Sequence, residues 1–477
     1  MSVLEEIVAR KRADVAKRME SVPYSDLSAV PTSRRFAEAL KKPGSRFILE
    51  CKKASPSEGL IRKNFDVAGI AAAYKNFADA VSILTDEPYF QGSLAVLRSF
   101  RELLDQPILA KDFVIGPYQV REARSYGADA ALLILSVLDD ETYRLCADEA
   151  ARLSMDVLTE VHSEAELDRA LRLNAPIIGI NNRNLGTLKV DLDVYRRLVG
   201  KIPDDRLVVC ESGIGSHEDT LRLGARTDAF LVGGLLMKSA RIDLAVRRLI
   251  HGGVKVCGLA SPEDAEKSWA SGATFGGLIF AGESPRRVDA ALAREIRSAS
   301  PLPMVGVFVN DEVRKIATLV SVLDLAAVQL HGEESDGFVE ELRGELPKSC
   351  EIWKAKRVGN AIPAFDDSPV DRVLFDSSGD GARGGTGRSF DWSLLSDPAL
   401  ALMGRNDGSN DGGNNRRNER NDRSKIILAG GITPDNARRA SELGCFAIDV
   451  NSGIESSPGK KDHYRIEKLF KSLRGGV

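Results

Sequence analysis

The chain contains sixteen short apolar segments in two successive series of eight, and stretches with helical periodicity separate them. Short runs rich in Val, Ile, Leu and Phe are typical of buried strands, and their alternation with helices predicts a parallel sheet. The predicted strands are 47–51, 81–85, 107–112, 131–135, 156–161, 177–182, 207–212 and 229–234, then 254–259, 275–280, 304–309, 325–331, 351–356, 372–376, 425–431 and 446–453. Eight strand–helix repeats close into a barrel, and an open doubly wound sheet would not need eight units twice. The sequence therefore predicts an α/β fold of two tandem (β/α)8 TIM barrels.

The series starts again after residue 253, which divides the 477 residues into two predicted domains, 1–252 and 253–477. Each half has about the length of a single α/β barrel and is long enough to bury its own core. Apolar residues recur at helical spacing in the first twenty positions, so the first domain should begin with an amphipathic helix. The residues of that apolar stripe are Leu4, Ile7, Val8, Val15 and Met19.

Residues 404–424 interrupt the second series. They include no aliphatic or aromatic residue, so burial cannot offset the entropy of ordering them. Five arginines alternate there with acidic residues and with no aromatic side chain, which does not favour RNA binding. We expect a disordered insertion in a helix-to-strand connection, on the barrel face opposite the active site.

Composition excludes several classes of protein. The net charge of −3 gives no field that would indicate a nucleic-acid or membrane partner. Six scattered cysteines without a C-x-x-C pair indicate reduced thiols, and five histidines without ligand spacing do not suggest a metal. Both charge signs appear early in the chain, and no apolar run is long enough to span a bilayer. We therefore expect a cytoplasmic monomer that acts on small molecules without metal or cofactor.

Ser-Gly and Gly-Gly pairs recur near the end of both series. In the first half Ser212-Gly213 is followed about twenty residues later by Gly233-Gly234, and in the second half Gly430-Gly431 is followed similarly by Ser452-Gly453. Loops after strands seven and eight of such barrels often bind phosphate, because backbone N–H groups can approach the anion there. Each pair alone is weak evidence, but the duplication at matching strands favours two phosphate sites.

Polar side chains stand at five strand ends of the first half, where the active site of an α/β barrel lies. They are Glu50 and Lys52, Lys111, Glu160, Asn181 and Arg183, and Glu211 with Ser212. A layer of structural salt bridges would explain any single one of them. Five such strand ends are harder to explain structurally, because unpaired charge in a barrel mouth is costly. Lysines and carboxylates beside a phosphate loop predict acid–base chemistry on an anionic substrate.

At these residues the first half resembles indole-3-glycerol phosphate synthase. The matching stretches are ILECKKASPSEGL at 48–60, ILAKDFV at 108–114, VLTEVH at 157–162, INNRNLG at 180–186 and VCESGIG at 209–215. The resemblance covers about residues 1–252. It implies that carboxyphenylamino-deoxyribulose phosphate is cyclised with loss of carbon dioxide and water.

The resemblance also implies roles for individual residues. Lys111 would be the general acid on the carbonyl oxygen during ring closure, and Glu160 would serve the later dehydration. Lys52 would pair with the anthranilate carboxylate, and its share in the acid role stays open. The supporting residues would orient these groups (Glu50, Asn181, Glu211), contact substrate anions (Ser55, Arg183, Ser212) or hold the phosphate (Gly213, Gly233, Gly234).

The second half has fewer polar residues at strand ends. Cys257 alone would usually be a small buried hydrophobe, and Asp376 alone could cap a turn. Arg286 follows the second strand, and His331 is better suited to hydrogen bonding a catalytic group than to catalysis. These four residues are the candidate site of the second domain.

Together they resemble phosphoribosylanthranilate isomerase, through VKVCGL at 254–259, ESPRRV at 283–288, VQLHG at 328–332, VLFD at 373–376 and GGTGRSFDW at 384–392. The resemblance runs from about 253 to 477 apart from 404–424, and it implies an Amadori rearrangement. Protonated Asp376 would open the ribose ring, and Cys257 as thiolate would remove the C2 proton, so the carboxyl pKa should be raised and the thiol pKa lowered. Arg286 would hold the anthranilate carboxylate. Phosphate would lie among Gly385, Gly387, Gly430, Gly431, Ser452 and Gly453.

Two alternatives are open at this point. Barrels of histidine biosynthesis share such phosphate sites, but they would carry paired aspartates at strands one and five. Here strand one ends in Glu50 or Cys257, and strand five in Glu160 or Lys356. The other alternative, one active barrel beside a non-catalytic scaffold, is disfavoured because each half keeps a full set of candidate residues.

Overall fold

The computed structural model describes residues 2–282, 284–363, 369–377, 389–396 and 423–474. The described chain forms two compact units, the first ending at Ile250 and the second beginning at His251. Residues 404–422 of the expected insertion lie outside the described part of the chain, as do Gly385 and Gly387.

The first unit is a closed barrel of eight parallel strands. Each strand pairs with the next one along the chain, and pairing of Arg46 with Ala229 begins the register that closes the ring. The strands are β1 (Arg46–Cys51), β2 (Ala80–Leu84), β3 (Ile108–Lys111), β4 (Ala130–Ile134), β5 (Asp156–Val161), β6 (Ile177–Asn181), β7 (Leu207–Glu211) and β8 (Ala229–Val232). The first predicted barrel is confirmed.

The second unit is also a closed eight-stranded parallel barrel, in which Val254 pairs with Ile448 to complete the ring. Its strands are β9 (Val254–Val256), β10 (Phe275–Ile279), β11 (Met304–Phe308), β12 (Ala327–Leu330), β13 (Glu351–Val358), β14 (Arg372–Ser377), β15 (Ile426–Leu428) and β16 (Ala447–Val450). The second predicted barrel is confirmed, although several strands end one to three residues earlier than predicted.

Helices follow the strands in both units. Those of the first unit are Val3–Ser21, Phe36–Leu40, Val67–Tyr74, Glu87–Phe90, Leu94–Leu103, Pro117–Ser125, Asp140–Arg152, Glu164–Arg172, Asp193–Val199, His217–Leu223, Gly234–Lys238 and Ile242–His251, which reaches the first residue of the second unit. Those of the second are Pro262–Ser271, Ala290–Ala299, Val313–Leu323, Asp336–Glu345, Ala437–Glu442 and His463–Leu473. Short 3-10 turns occur at Tyr24–Asp26, Gly224–Arg226, Trp392–Ser396 and Ser452–Ile454, and small hairpins pair Ala54–Ser55 with Gly59–Leu60 and Glu455–Ser457 with Lys460–Lys461. None of the described helices is long and apolar enough to cross a membrane.

Strand alternation places the site residues inside the barrels. In β1, Phe47, Leu49 and Cys51 pack in the layer between strands and helices, whereas Ile48 belongs to a separate cluster inside the ring. Because side chains two residues apart share a face, Glu50 also points into the barrel. The same alternation in β9 puts Val254 and Val256 in the outer layer and directs the intervening lysine inward.

The N-terminal helix Val3–Ser21 begins with a capping box, in which Ser2 and Glu5 exchange side-chain hydrogen bonds with each other's backbone. Its buried residues are Ile7, Lys11 and Val15. Met19, expected on the buried stripe, is instead 45% exposed. Lys11 takes part in the buried face because its Nζ lies 2.6 Å from Asp86 and 2.7 Å from Asp112 at the mouth of the first barrel.

Candidate active sites

The carboxyl ends of the first barrel's strands surround a cavity of about 470 Å³. Almost every residue predicted for this site lines it: Glu50, Lys52, Lys111, Glu160, Asn181, Arg183, Glu211, Ser212, Gly213, Gly233 and Gly234. Ser55 is not among the lining residues. Apolar side chains such as Phe90 and Leu132 complete the wall, so the cavity can accept a flat apolar ring beside charged groups.

Lys111, the last residue of β3, lies between two buried carboxylates. Its Nζ is 2.8 Å from Glu160 Oε2 and 2.9 Å from Glu211 Oε2. Burial alone would lower the pKa of Lys111, but the two carboxylates outweigh burial and raise it well above its usual value. The ammonium group is therefore held charged. Gly179 in β6 makes room for this arrangement, because an added Cβ there would overlap Glu211 Oε1.

The two carboxylates have opposite electrostatic environments. Burial would raise the pKa of Glu160, but Lys111 and His162 outweigh burial and hold it below its usual range. Burial raises the pKa of Glu211, which Lys111 opposes and the nearby Glu160 reinforces. In the described contacts Glu211 Oε1 has no hydrogen-bond partner. Glu160 is thus the stable anion of the pair, and Glu211 is the one that takes up a proton more readily.

His162 ends the VLTEVH stretch at 157–162, and its sequence position alone did not indicate a role. Its Nε2 lies 3.2 Å from Glu160 Oε1, and its Nδ1 lies 3.1 Å from Glu166 Oε2. Burial would lower the pKa of His162, but Glu160 and Glu166 outweigh burial and raise it to about 10. Glu160 therefore has a cation on each side, Lys111 and His162.

Lys52 and Glu50 form a second charge pair at the end of β1, with 2.8 Å between Lys52 Nζ and Glu50 Oε1. Tyr74 donates a hydrogen bond to the Glu50 carbonyl, which anchors the strand behind the pair. Gly233 packs against this pair, because an added Cβ there would overlap Glu50 Oε1. A glycine in the loop after β8 thus both exposes backbone N–H groups and leaves space for a site carboxylate.

The loop after β6 connects to the hairpin after β1. Asn181 Oδ1 accepts a hydrogen bond from the Arg183 backbone N–H, and the Arg183 guanidinium donates to Ser57 Oγ at 3.3 Å. Ser57 Oγ is in turn 3.4 Å from Ser55 Oγ. Ser55 is therefore linked to the site through Ser57 and Arg183 rather than placed in the cavity wall.

The loop after β7 has the backbone expected of an anion cradle. Ser212 and Gly213 have φ of 64° and 84°, so two successive residues lie in the left-handed region. A non-glycine residue in that region is uncommon and marks functional sites. Together with Gly233 and Gly234 after β8, this loop lines the predicted phosphate side of the cavity.

The second barrel has a smaller described cavity of about 120 Å³ at its strand ends. The predicted residues that line it are Cys257, Arg286, His331, Asp376, Gly430, Gly431 and Ser452. Gly453 does not line it, but an added Cβ there would overlap the Ile432 carbonyl, so glycine permits close packing of the two terminal loops. Gly430 has φ of 86°, and a Cβ added there would overlap Ser377 and Asp376.

Cys257 follows β9 and is 5% exposed. Burial raises the pKa of its thiol, Asp449 adds to the effect, and Lys255 opposes it. The lowered pKa expected for Cys257 is therefore wrong. The physical reason is that desolvation of a thiolate outweighs the nearby lysine, whose charge is shared with Asp449 at 2.8 Å.

Asp376 in β14 has the pKa direction expected from sequence. Burial raises the pKa of Asp376 to about 6, and the charge of Asp449 contributes in the same direction. His331 Nε2 lies 3.7 Å from Asp376 Oδ2, while His331 Nδ1 is 3.1 Å from Gln329 Nε2. Burial lowers the pKa of His331 to about 4, so a neutral imidazole lies beside the carboxyl.

Arg286 has a carboxylate partner that the sequence did not indicate. Its Nε donates to Glu455 Oε1 at 2.9 Å and its Nη2 donates to Glu455 Oε2 at 2.7 Å. Lys461, fully buried, donates to the same Glu455 Oε1 at 2.9 Å and to Asn451 Oδ1 at 2.8 Å. Glu455 therefore neutralises two cations beside the cavity, one of which is the predicted carboxylate-binding residue.

Known families and proteins match this chain over nearly its whole length. A family model described as indole-3-glycerol phosphate synthase matches residues 4–249, and one described as N-(5'-phosphoribosyl)anthranilate isomerase matches residues 254–472. The Tryptophan biosynthesis protein TrpCF of Vibrio parahaemolyticus is 45% identical over 99% of this chain and 94% of its own length. The TrpCF proteins of Vibrio cholerae and Yersinia pestis are each 44% identical over 99% of this chain, and over 96% and 94% of their own lengths.

The chain belongs to the TrpCF family. It is thus a bifunctional enzyme of tryptophan biosynthesis that acts on small phosphorylated substrates, with a decarboxylating lyase in the first barrel and an isomerase in the second. The two activities follow each other along this chain in the reverse of their chemical order, since the isomerase product is the substrate of the synthase. The predicted resemblance of each half is confirmed.

Sequence reasoning missed a group of buried or partly buried charged residues: His162, Lys255, Asp449, Glu455 and Lys461. Asp449 lies three residues before the Ser452-Gly453 pair and Lys461 lies eight residues after it, and this closeness was the available signal. Among the described residues, no cluster of three His, Cys, Asp or Glu side chains is arranged to hold a metal ion.

Proposed function

We propose that Lys111 is the general acid of ring closure in the synthase barrel and that Glu160 serves the dehydration that follows. The contact of Lys111 Nζ with both Glu160 and Glu211 in the cavity wall supports this assignment most directly. Lys111 gives a proton to the substrate carbonyl oxygen as the aryl carbon attacks that carbonyl. Loss of carbon dioxide leaves its bonding pair in the ring and restores aromaticity. The hydroxyl then leaves as water with a proton that Glu211 passes back through Lys111. Glu160, as carboxylate, removes the proton of the adjacent ring CH2, whose bonding pair forms the indole double bond.

The position of Lys111 between carboxylates fits this role because the proton donor must be charged before the substrate arrives. The same carboxylates raise its pKa and hold the proton back. A developing alkoxide is far more basic than a carboxylate, so the proton moves once charge appears on the substrate oxygen. Glu211, whose pKa is also raised, can then balance the lost positive charge by taking up a proton.

The other residues of the cavity bind and orient. Lys52, held by Glu50 at 2.8 Å, is placed to pair with the anthranilate carboxylate. Asn181 fixes the backbone of Arg183, which lines the cavity and supplies a cation from the β6 loop. Phosphate is assigned to the backbone of the loops after β7 and β8, at Ser212, Gly213, Gly233 and Gly234.

Single-turnover chemistry separates the two catalytic roles. Substrate labelled in the carboxyl carbon is mixed with excess enzyme, and released carbon dioxide is measured beside indole absorbance. Lys111→Ala should release neither product, because ring closure precedes decarboxylation. Glu160→Gln should release carbon dioxide and stall before the indole forms. Equal loss of both signals in Glu160→Gln would place that residue in the first step and contradict the assignment.

For the isomerase barrel we propose that Asp376 is the general acid on the ribose ring oxygen and that Cys257 is the base that removes the C2 proton. Both residues line one described cavity, and the pKa of Asp376 is raised to about 6, which keeps part of it protonated. The C2 proton passes to sulfur, and its bonding pair forms the enolamine, which tautomerises to the ketone. Gln329 and His331 hydrogen bond to each other, and His331 lies 3.7 Å from the acid.

Arg286 is assigned to the anthranilate carboxylate. In the structure it already binds Glu455 through two N–H groups, so the substrate carboxylate shares or replaces that partner. Lys461 then retains Glu455 as a neutral pair beside the ligand. Phosphate is assigned to Gly430, Gly431, Ser452 and Gly453, and the proposed contribution of Gly385 and Gly387 falls outside the described residues.

The pH dependence of the isomerase tests this pair. The wild-type kcat/KM should be bell-shaped, because one group must be protonated and the other ionised. Asp376→Asn should remove the fall at high pH, and Cys257→Ser should lower turnover by several orders of magnitude. A Cys257→Ser protein with near-normal turnover would show that the cysteine only packs.

We also propose that the enzyme works as a monomer in the cytoplasm, with no membrane or nucleic-acid partner. The near-neutral charge of −3 and the presence of a full set of site residues within each unit support this. Light scattering should give the mass of one chain, 51.7 kDa, at micromolar concentration. A mass near twice that value would contradict the proposal.

A further inference from the structure

We propose that Lys255 is a positioning residue of the isomerase, which donates a hydrogen bond to the sulfur of Cys257 and stabilises it as a thiolate. Lys255 lies in the middle of β9 and points into the barrel, two residues before the cysteine. Its side chain is completely buried. The inference rests on the proposed role of Cys257 as base, and it adds the group that favours the ionised form of this buried cysteine.

The ammonium group of Lys255 has three N–H donors, and three acceptors surround it. Its Nζ lies 3.1 Å from Cys257 Sγ, 2.8 Å from Gln329 Oε1 and 2.8 Å from Asp449 Oδ2. The acceptors come from the residue that follows β9 and from β12 and β16. Every donor is thus used inside the protein, so Lys255 has none left for the substrate, and its effect must pass through these neighbours.

A structural ion pair alone would not need the contact with sulfur. A buried lysine–aspartate pair is often no more stabilising than an apolar pair of the same volume. A thiol is a weak acceptor, whereas a thiolate is a strong one, so the N–H···S bond strengthens when Cys257 loses its proton. The interaction therefore favours the ionised form that the reaction requires.

Charges on several elements face Cys257. Asp449 in β16 opposes ionisation of the thiol, whereas Lys255 and, from the second hairpin, Lys461 favour it. Arg286 lies close enough to Cys257 to interact electrostatically, with its charge mostly balanced by Glu455. Asp376 and His331 face the same cavity. Lys255 is the cation in direct contact with the sulfur among the described residues, so its removal should have the largest effect.

The test is a direct titration of the thiol in the full-length enzyme. Thiolate absorbance at 240 nm is recorded against pH for wild type, Lys255→Met, Lys255→Gln and Lys255→Arg. The same titration on each background carrying Cys257→Ser is subtracted, which removes the other five cysteines. Synthase activity and tryptophan fluorescence of the same preparations report whether each half is folded.

We expect the thiol pKa to rise by at least one unit in the Met and Gln variants, which is about a tenfold loss of thiolate. The limb of kcat/KM that belongs to Cys257 should move to higher pH by the same amount. Lys255→Arg keeps the charge and should shift the thiol less. Lys461→Met, which removes a buried cation without touching the sulfur, should shift it less than Lys255→Met.

An unchanged thiol pKa in a folded Lys255→Met or Lys255→Gln protein would overturn the proposal. So would failure of both neutral variants to fold, because Lys255 would then be a structural residue. Equal loss of activity at every pH would have the same meaning. If Cys257→Ser itself kept normal turnover, the role of Cys257 as base would fail, while the thiol titration would still report the contact.

Discussion

Replacement of Asp376 by asparagine should stabilise the isomerase barrel at high pH while it lowers isomerase activity. Asp376 is only 14% exposed, and burial raises its pKa from 3.8 to about 6. The folded state therefore holds a proton that the unfolded state has lost, and stability falls as pH rises between these two values. Above pH 6 the ionised carboxyl lowers the unfolding free energy by the full pKa difference of 2.2, which at 1.36 kcal/mol per pKa unit is about 3 kcal/mol.

Asparagine has the same shape and does not titrate, so the variant escapes this cost. Comparison of two pH values cancels any packing effect of the substitution. The gain in unfolding free energy of the variant over wild type should be about 2 kcal/mol larger at pH 8 than at pH 4.5. This sign is opposite to that of an ordinary salt-bridged aspartate, whose removal is most harmful at high pH.

Tryptophan fluorescence in urea is a suitable assay, because all three tryptophans, Trp269, Trp353 and Trp392, lie in the isomerase half. The measured transition then reports that barrel and not the synthase. Conservative replacement of an aspartate elsewhere in the barrel, Asp324→Asn, serves as the matched control, since Asp324 is almost fully exposed. A gain that is the same at both pH values, or larger at pH 4.5, would refute the reasoning.

Three further outcomes concern the rest of the chain. Lys111→Met leaves two buried carboxylates without their cation, so we expect loss of synthase activity and about 3–5 kcal/mol of destabilisation. Far-UV circular dichroism should then show an early unfolding transition that is absent from tryptophan fluorescence. Gly233→Ala should displace Glu50 and lower synthase kcat/KM roughly 100-fold, with isomerase rates as the control. Deletion of 405–420 should leave both activities unchanged, provided that Arg423 is kept, because its carbonyl accepts the Phe446 N–H; a large loss of isomerase activity would contradict the expectation of a disordered insertion.

The barrels were predictable because their signal is local. Each strand is a short run of Val, Ile, Leu or Phe, and the same alternation that buries Ile48 also points Glu50 into the barrel. The strand ends therefore brought most of the predicted residues of the first site into one cavity. Strand bounds were less accurate, since the residue pattern does not show where the ladder ends, and the predicted strands ran one residue too far, to Asn182 and Ser212.

The buried charge network was not predictable in the same way. Lys255 interrupts an apolar strand, and its partner Asp449 lies 194 residues further along the chain. Without the fold, neither residue indicates the other. The direction of the Cys257 pKa depended on the same missing information, because burial and Asp449 outweigh the adjacent lysine. Arg286 likewise carried no sign that Glu455 occupies its guanidinium.

Each barrel of this chain should carry out its own reaction with its own residues. Both activities should be assayed separately on two purified single variants, Glu160→Gln and Cys257→Ser. We predict that the first loses indole formation and keeps wild-type isomerase rates, and that the second shows the reverse. Loss of both activities in either folded variant would contradict the account of two independent sites.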